Sequence, residues 1–238
     1  MWVCHSERSE ESLIRDVSLR STRQDTGLNV ERLPRRRLAE GGLSVERCAL
    51  KKIAIYGGTF DPIHHGHLIV AREALEKLGA EQVIFIPARV SPLRKTAPVA
   101  RDEVRLLMIK AAIESEPGFA VDDCELLRPP PSYTIDTIEQ IRQRNSEATI
   151  YCLIGEDNVD KLTKWRRFAD LEKMVRLVVL DRSGQQPHHA YPIIRRKIDI
   201  SATEIRKRVA TGRSIRYFVP PAVEEIIRRE KLYLEQRK

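Results

Sequence analysis

The stretch Lys52-Ile53-Ala54-Ile55-Tyr56-Gly57-Gly58-Thr59-Phe60-Asp61-Pro62-Ile63-His64-His65-Gly66-His67-Leu68 runs from apolar residues into a loop with two glycines, an aspartate, a proline and three histidines. Lys52–Tyr56 reads as a short β-prone run. Beyond the loop, "GHLIVAREALEKLG" repeats Leu68, Ala71, Leu75 and Leu78 at three- and four-residue spacing. A helix is therefore expected to begin near Gly66 and to stop at Gly79. Gly57 and Gly58 fall where the chain leaves the strand, a place where glycine lets a ligand approach the backbone. Free N–H groups and the positive dipole end of the helix favour a phosphate there. His67 in the first turn and His64 just before it would add directional donors to the same anion. The competing reading is a metal held by His64 and His67, or by His65 and His67, with His188 and His189 added. Against it, no Cys, Asp or Glu stands at a matching helical spacing such as HExxH, so no protein-ligated metal is expected. On this stretch alone, the anion site is the preferred reading, with a metal site and a plain capping loop as the alternatives.

Working outward, strand-like and helix-like segments alternate. "QVIFIP" reads as a buried strand ended by Pro87, and Ser91–Ala100 as a loop. Arg101–Ser115 reads as a helix with Val104, Leu107, Met108 and Ala111 on its apolar face. "FAVDDCEL" offers a short strand, Thr134–Arg144 a helix, and "TIYCLIG" and "RLVVLDR" two apolar strands. "KIDIS" reads as a further short strand before helices at Thr203–Thr211 and Pro221–Glu235. This alternation indicates βαβ units, hence an α/β, doubly wound parallel sheet with helices on both faces and a helical C-terminal end. Ligands bind such sheets beyond the carboxyl ends of the strands. "GGTFDPIHHGHL", "IGEDN" and "DISATEIR" each follow a strand-like run and should converge on one crevice.

A second constellation favours the anion. "ISATEIRKR" sets Ser201, Thr203 and Arg206 at the mouth of a helix. Ser201 or Thr203 can N-cap it, leaving amides for phosphate oxygens. Arg206, one turn in, offers a planar fork suited to bidentate phosphate contact.

The net charge of +8 over 238 residues points to an anionic partner. Residues 1–50 hold nine arginines against eight acidic residues, whereas 51–238 hold 33 basic against 26 acidic, so the excess belongs to the later part. The leader shows no sustained apolar period and is expected to be disordered. "CHSERSEESL" resembles the translation of a dispersed bacterial repeat, so the natural start is expected near Val45 or Leu50. Residues 51–238 are read as a single domain. Cys4, Cys48, Cys124 and Cys152 form no CxxC pair, which argues against a zinc ribbon or disulfide framework and for a reducing, cytoplasmic setting. No apolar run reaches the ~20 residues of a membrane span.

These motifs carry a resemblance. "GGTFDPIHHGH" resembles the GGTFDPxHxGH signature of the bacterial nicotinate-nucleotide adenylyltransferases, including the (H/T)xGH element of their nucleotidyltransferase superfamily. "ISATEIR" resembles the second signature, and "PSYT", "IGEDN" and "KWRRF" follow in the family's order, covering about 50–235. The resemblance implies a Rossmann-like fold and direct attack of nicotinate mononucleotide on the α-phosphorus of ATP, without a covalent intermediate. It implies that His64, His67 and Arg206 act on the phosphates. Gly57, Gly58, Thr59, Phe60, Gly66, Asp157, Ile200 and Ser201 would bind ATP, with Asp157 on the ribose. Tyr133, Thr134, Trp165, Arg166 and Arg182 would bind the mononucleotide, with Trp165 stacked on the pyridine ring. Magnesium would be held mainly by ATP phosphates and water, with no nucleic acid or membrane partner and with a homo-oligomer left open.

The chain departs from the family's PPHK-like loop at Ser91-Pro92-Leu93-Arg94, which bears on substrate choice. A nicotinamide-mononucleotide or phosphopantetheine adenylyltransferase is the alternative reading within the superfamily. A basic nucleic-acid-binding protein is the alternative outside it, weakened by an aromatic content of 5%.

Overall fold

The computed structural model describes residues 51–92, 96–182, 184 and 188–234. The leader and the loop residues Leu93 and Arg94, on which two of the expectations above fall, lie outside the described residues. Six strands form one parallel sheet: β1 (Lys52–Gly58), β2 (Gln82–Pro87), β3 (Phe119–Val121), β4 (Thr149–Gly155), β5 (Arg176–Asp181) and β6 (Ile193–Arg195). Their spatial order is β3-β2-β1-β4-β5-β6. The chain winds outward from β1 in one direction and then restarts beside it with β4, which leaves a crevice at the carboxyl ends of β1 and β4.

Helices cover both faces: α1 (His65–Leu78), α2 (Asp102–Ile113), the short α3 (Cys124–Leu127), α4 (Thr134–Arg144), α5 (Phe168–Met174), α6 (Ala202–Ala210) and α7 (Pro221–Arg229). A 3-10 helix, Glu156–Lys164, follows β4 directly. The period of two along the strands assigns the cores. Ala54, Tyr56, Val83, Phe85, Leu153 and Leu180 face one apolar cluster, which also holds Val70 of α1, Met108 of α2, Ile205 of α6 and Val223 of α7. Ile53, Ile55, Ile150, Cys152 and Val179 face the other, against Ile138 of α4 and Leu171 of α5. Each buried aliphatic side chain is worth about 1.5–3 kcal/mol, so both faces of the sheet are heavily stabilised.

Several boundaries differ from the sequence reading. The last strand is Ile193–Arg195, not "KIDIS", because β5 pairs with Ile193-Ile194-Arg195. Ile198 and Ile200 still turn their side chains onto the first core, so the alternation in "KIDIS" reflects burial without a hydrogen-bonded neighbour. "FAVDDCEL" divides into a three-residue strand and α3, and α7 stops at Arg229. In α2, Leu107 is 41% exposed while Arg105 is fully buried beside Val104, Met108 and Ile109. The helix packs on the sheet and on α7 together, which rotates its buried face by one position.

Candidate active site

The crevice is built first by the turn leaving β1. The Phe60 ring folds back over Gly58 so closely that a Cβ there would lie 2.7 Å from it. Phe60 itself takes a left-handed φ of 48°, an unfavourable conformation for a side-chain-bearing residue that surrounding contacts must hold. Two contacts do so. Its ring is buried against Tyr56 and Phe85, and the buried Arg105 donates to the Thr59 carbonyl at 2.6 Å and to Asp102 Oδ1 at 2.6 Å. Gly57, by contrast, has open space where a Cβ would be.

His64 is the N-cap of α1. The His64 and His67 rings stack with centroids 3.7 Å apart, and the His64 backbone N–H donates to His67 Nδ1 at 3.3 Å. Gly66 makes this possible, since a Cβ there would lie 3.0 Å from His64 Nδ1. Burial pushes the His64 imidazole down to about 3, with the charges of Arg182 and His65 adding to the effect. It is therefore neutral at ordinary pH. Its Nδ1 is buried without a hydrogen-bond partner, a cost that a ligand oxygen or water could relieve.

Helix α6 opens opposite. Ser201 Oγ accepts from the Glu204 N–H at 3.2 Å, so Ser201 rather than Thr203 is the cap. Arg206 donates to the Asp61 carbonyl at 2.7 Å and to Thr203 Oγ1 at 3.3 Å, which ties this helix to the β1 turn. Ile200 packs its side chain against the first core.

The ends of β4 and β5 reach the same place. Burial raises the Tyr56 phenol to about 12, with the Arg182 charge lowering it and the Asp157 charge raising it. Both charges therefore lie close to the exit of β1. Gly155 lets the Asp157 carboxylate fold back over the chain, because a Cβ would stand 2.6 Å from Asp157 Oδ1. His188 and His189 do not join His64 or His67. They pair instead with Asp160 at 2.9 Å and Glu156 at 3.2 Å, fastening their segment to the 3-10 helix.

A second group of candidate residues lies at the start of α4 and just beyond the 3-10 helix. Thr134 opens α4 after Tyr133. The Arg166 guanidinium lies over the Tyr133 ring at 4.8 Å and 3.7 Å from Asp136. Arg167, at a left-handed φ of 52°, reaches Glu139 at 2.8 Å and Asp170 at 2.9 Å. Trp165 is half-buried against the second core, with its indole N–H buried and unpartnered. Among the described residues no three His, Cys, Asp or Glu side chains group to hold a metal ion.

Three residues that the sequence reading left without a role prove central. Asp61 accepts from the Val99 N–H at 2.7 Å, the Ala100 N–H at 3.2 Å and the Tyr233 hydroxyl at 2.6 Å. Arg105 looks in sequence like a polar-face residue of an amphipathic helix, and Tyr233 like one more residue of the last helix. Only the Asp-Pro pair inside the β1 loop signalled a fixed turn.

A parallel sheet with two helix N-termini, imidazoles and a guanidinium gathered at its switch point defines a nucleotide-handling transferase. Residues 55–208 match the Cytidylyltransferase-like family model. Two curated relatives are each named "Probable nicotinate-nucleotide adenylyltransferase". The one from Shouchella clausii is 40% identical over 189 residues, covering 77% of this chain and 97% of the relative. The one from Geobacillus thermodenitrificans is 40% identical over 185 residues, covering 76% and 86%. A solved Plasmodium falciparum nicotinic acid mononucleotide adenylyltransferase complexed with NaAD has the same fold, with a TM-score of 0.65 at 20% identity, covering 77% of this chain and 97% of that one. A second structure of that enzyme, complexed with APC, gives a TM-score of 0.64 at 19% identity and covers the same shares of the two chains. The chain belongs to the Cytidylyltransferase-like family and, within it, to the nicotinate-nucleotide adenylyltransferases.

Proposed function

We propose that this chain transfers the adenylyl group of ATP to nicotinate mononucleotide, giving nicotinate adenine dinucleotide and pyrophosphate in NAD biosynthesis. The observation that carries the reading is the stacked His64–His67 pair at the start of α1, with Arg206 of α6 bonded to the Asp61 carbonyl in the same loop. Direct phosphoryl attack needs positioning and charge stabilisation rather than a protein nucleophile. His64 and His67 hold the triphosphate and stabilise departing pyrophosphate, while Ser201 and Arg206 grip it from the other side. Gly57, Gly58, Thr59, Phe60, Gly66 and Ile200 present backbone to ATP, and Asp157 accepts from its ribose.

Trp165 stacks on the pyridine ring, with Tyr133, Thr134 and Arg166 around it and Arg182 toward the mononucleotide phosphate. The donor set of imidazole, guanidinium, hydroxyl and amide suits phosphate oxygens and not a cation. Magnesium would therefore be held by the phosphates and water, as that ion prefers. A cytoplasmic setting fits the buried free thiols of Cys124 and Cys152. None of the described helices is long and apolar enough to cross a membrane. Residues 51–238 act as the single catalytic domain.

The test is a coupled assay of pyrophosphate release with ATP and magnesium, comparing the acid and amide mononucleotides. Strong preference for the acid form is expected. Equal or better use of the amide would overturn the substrate, and release with neither would overturn the reaction.

A further inference from the structure

The buried Asp61 ties three separate segments to its own turn. Its backbone carbonyl receives Arg206 from α6, and its carboxylate receives two amides from the approach to α2 and the Tyr233 hydroxyl from beyond α7. One residue earlier, the strained Phe60 follows Thr59, whose carbonyl rests on the fully buried Arg105. Arg206 thus meets Asp61 at its carbonyl rather than at its carboxylate. Geometry explains why. Three donors occupy the carboxylate oxygens and hold them toward Val99, Ala100 and Tyr233. Burial and the adjacent Asp61 carboxylate hold the Tyr233 phenol in its protonated, donating form, raised far above its ordinary value.

We propose that Tyr233 and Arg105 are positioning residues for the ATP triphosphate, acting through Asp61 and Thr59 on the Gly58–Asp61 turn and on Arg206. Removing the Tyr233 hydroxyl leaves Asp61 with one donor fewer. The carboxylate, still held by the Val99 and Ala100 amides, is left less compensated and attracts the Arg206 guanidinium more strongly than a neutral carbonyl does. Arg206 is drawn off the phosphates. The mononucleotide pocket at Tyr133 and Trp165 shares none of these contacts. The inference rests on the adenylyltransferase reading only for the identity of the nucleotide.

The experiment is Tyr233→Phe in the full chain, alone and combined with Arg206→Lys. A non-hydrolysable ATP analogue is titrated calorimetrically, and KM is measured for each substrate. The expected result for Y233F is an analogue affinity about tenfold weaker, the scale of one lost hydrogen bond to a charged group. KM for the mononucleotide should stay unchanged, and the loss should shrink in the R206K background. A merely structural role predicts a lower melting temperature with analogue affinity within about twofold; that result, or equal losses in both backgrounds, overturns the proposal.

Should Y233F not fold, hydrogen exchange at Val99 and Ala100 in the unmodified protein decides. Coupling is reciprocal, so the analogue must slow both amides, and unchanged exchange overturns the inference. Because analogue binding needs no acceptor, absence of turnover with intact analogue binding would count against the proposed function alone. Absence of analogue binding in the unmodified protein would overturn both.

Discussion

At the scale of single residues, burial makes the His64 imidazole resist protonation. A histidine whose imidazole falls from 6.5 to about 3 on folding binds fewer protons in the folded state than in the unfolded state between those values. Stability therefore rises with pH across that window, and the contribution is lost as pH falls from 6.5. The slope is at most about 1.4 kcal/mol per pH unit. Denaturant titrations at pH 6.5 and pH 5 should show the unmodified protein losing up to about 2 kcal/mol more than His64→Asn; parallel losses would contradict a buried neutral imidazole. Gly66 gives a second residue-scale prediction. In Gly66→Ala the new methyl must displace the His64 ring. Turnover should fall several-fold, because the imidazole is pushed by a few tenths of an ångström from its position. The melting temperature should change little, because alanine favours the helix over glycine by about 1 kcal/mol. Steady-state kinetics and a thermal melt on the same preparation check both halves.

At the scale of elements, the site is an assembly of helix beginnings, and their caps can be tested singly. Ser201→Ala removes the side-chain oxygen that accepts the Glu204 N–H in the first turn of α6, so about 1 kcal/mol of stability should go. The denaturant midpoint should drop with an unchanged slope, and KM for ATP should rise while that for the mononucleotide does not. Elements also show what could be read from residues alone. "QVIFIP" and "TIYCLIG" are continuous apolar runs bounded by breakers, and both strands occupy those residues. "KIDIS" alternates like a strand because Ile198 and Ile200 are buried on one side, but alternation does not reveal whether a neighbouring strand supplies hydrogen bonds. The face of α2 was misjudged for a related reason. A buried arginine is indistinguishable from a solvated one until its acceptors, Thr59 and Asp102, are known.

At the scale of the molecule, residues 51–238 carry 33 basic against 26 acidic residues, and the proposed substrate ATP is a polyanion. Screening shortens the reach of that charge to ~10 Å at 0.1 M salt. KM for ATP should therefore rise several-fold between about 0.05 and 0.5 M ionic strength while kcat holds nearly constant; a salt-independent KM would remove long-range attraction from the account. The His64–His67 and Ser201–Arg206 groups were legible because each belongs to a short motif at the start of a helix. The Asp61–Tyr233 contact was not. Its partners stand 172 positions apart, and no local pattern encodes a pairing of that span.

That separation fixes an order of events during synthesis. The β1 turn, α1 and β2 are made long before Tyr233 exists, and at about 5–20 residues per second the nascent chain spends roughly ten seconds or more with Asp61 lacking its hydroxyl donor. Until the segment beyond α7 leaves the ribosome and docks, the early half of the sheet can pair while the Gly58–Asp61 turn lacks its final restraint. The nucleotide pocket is thus among the last parts of the molecule to mature, although its signature is among the first parts translated.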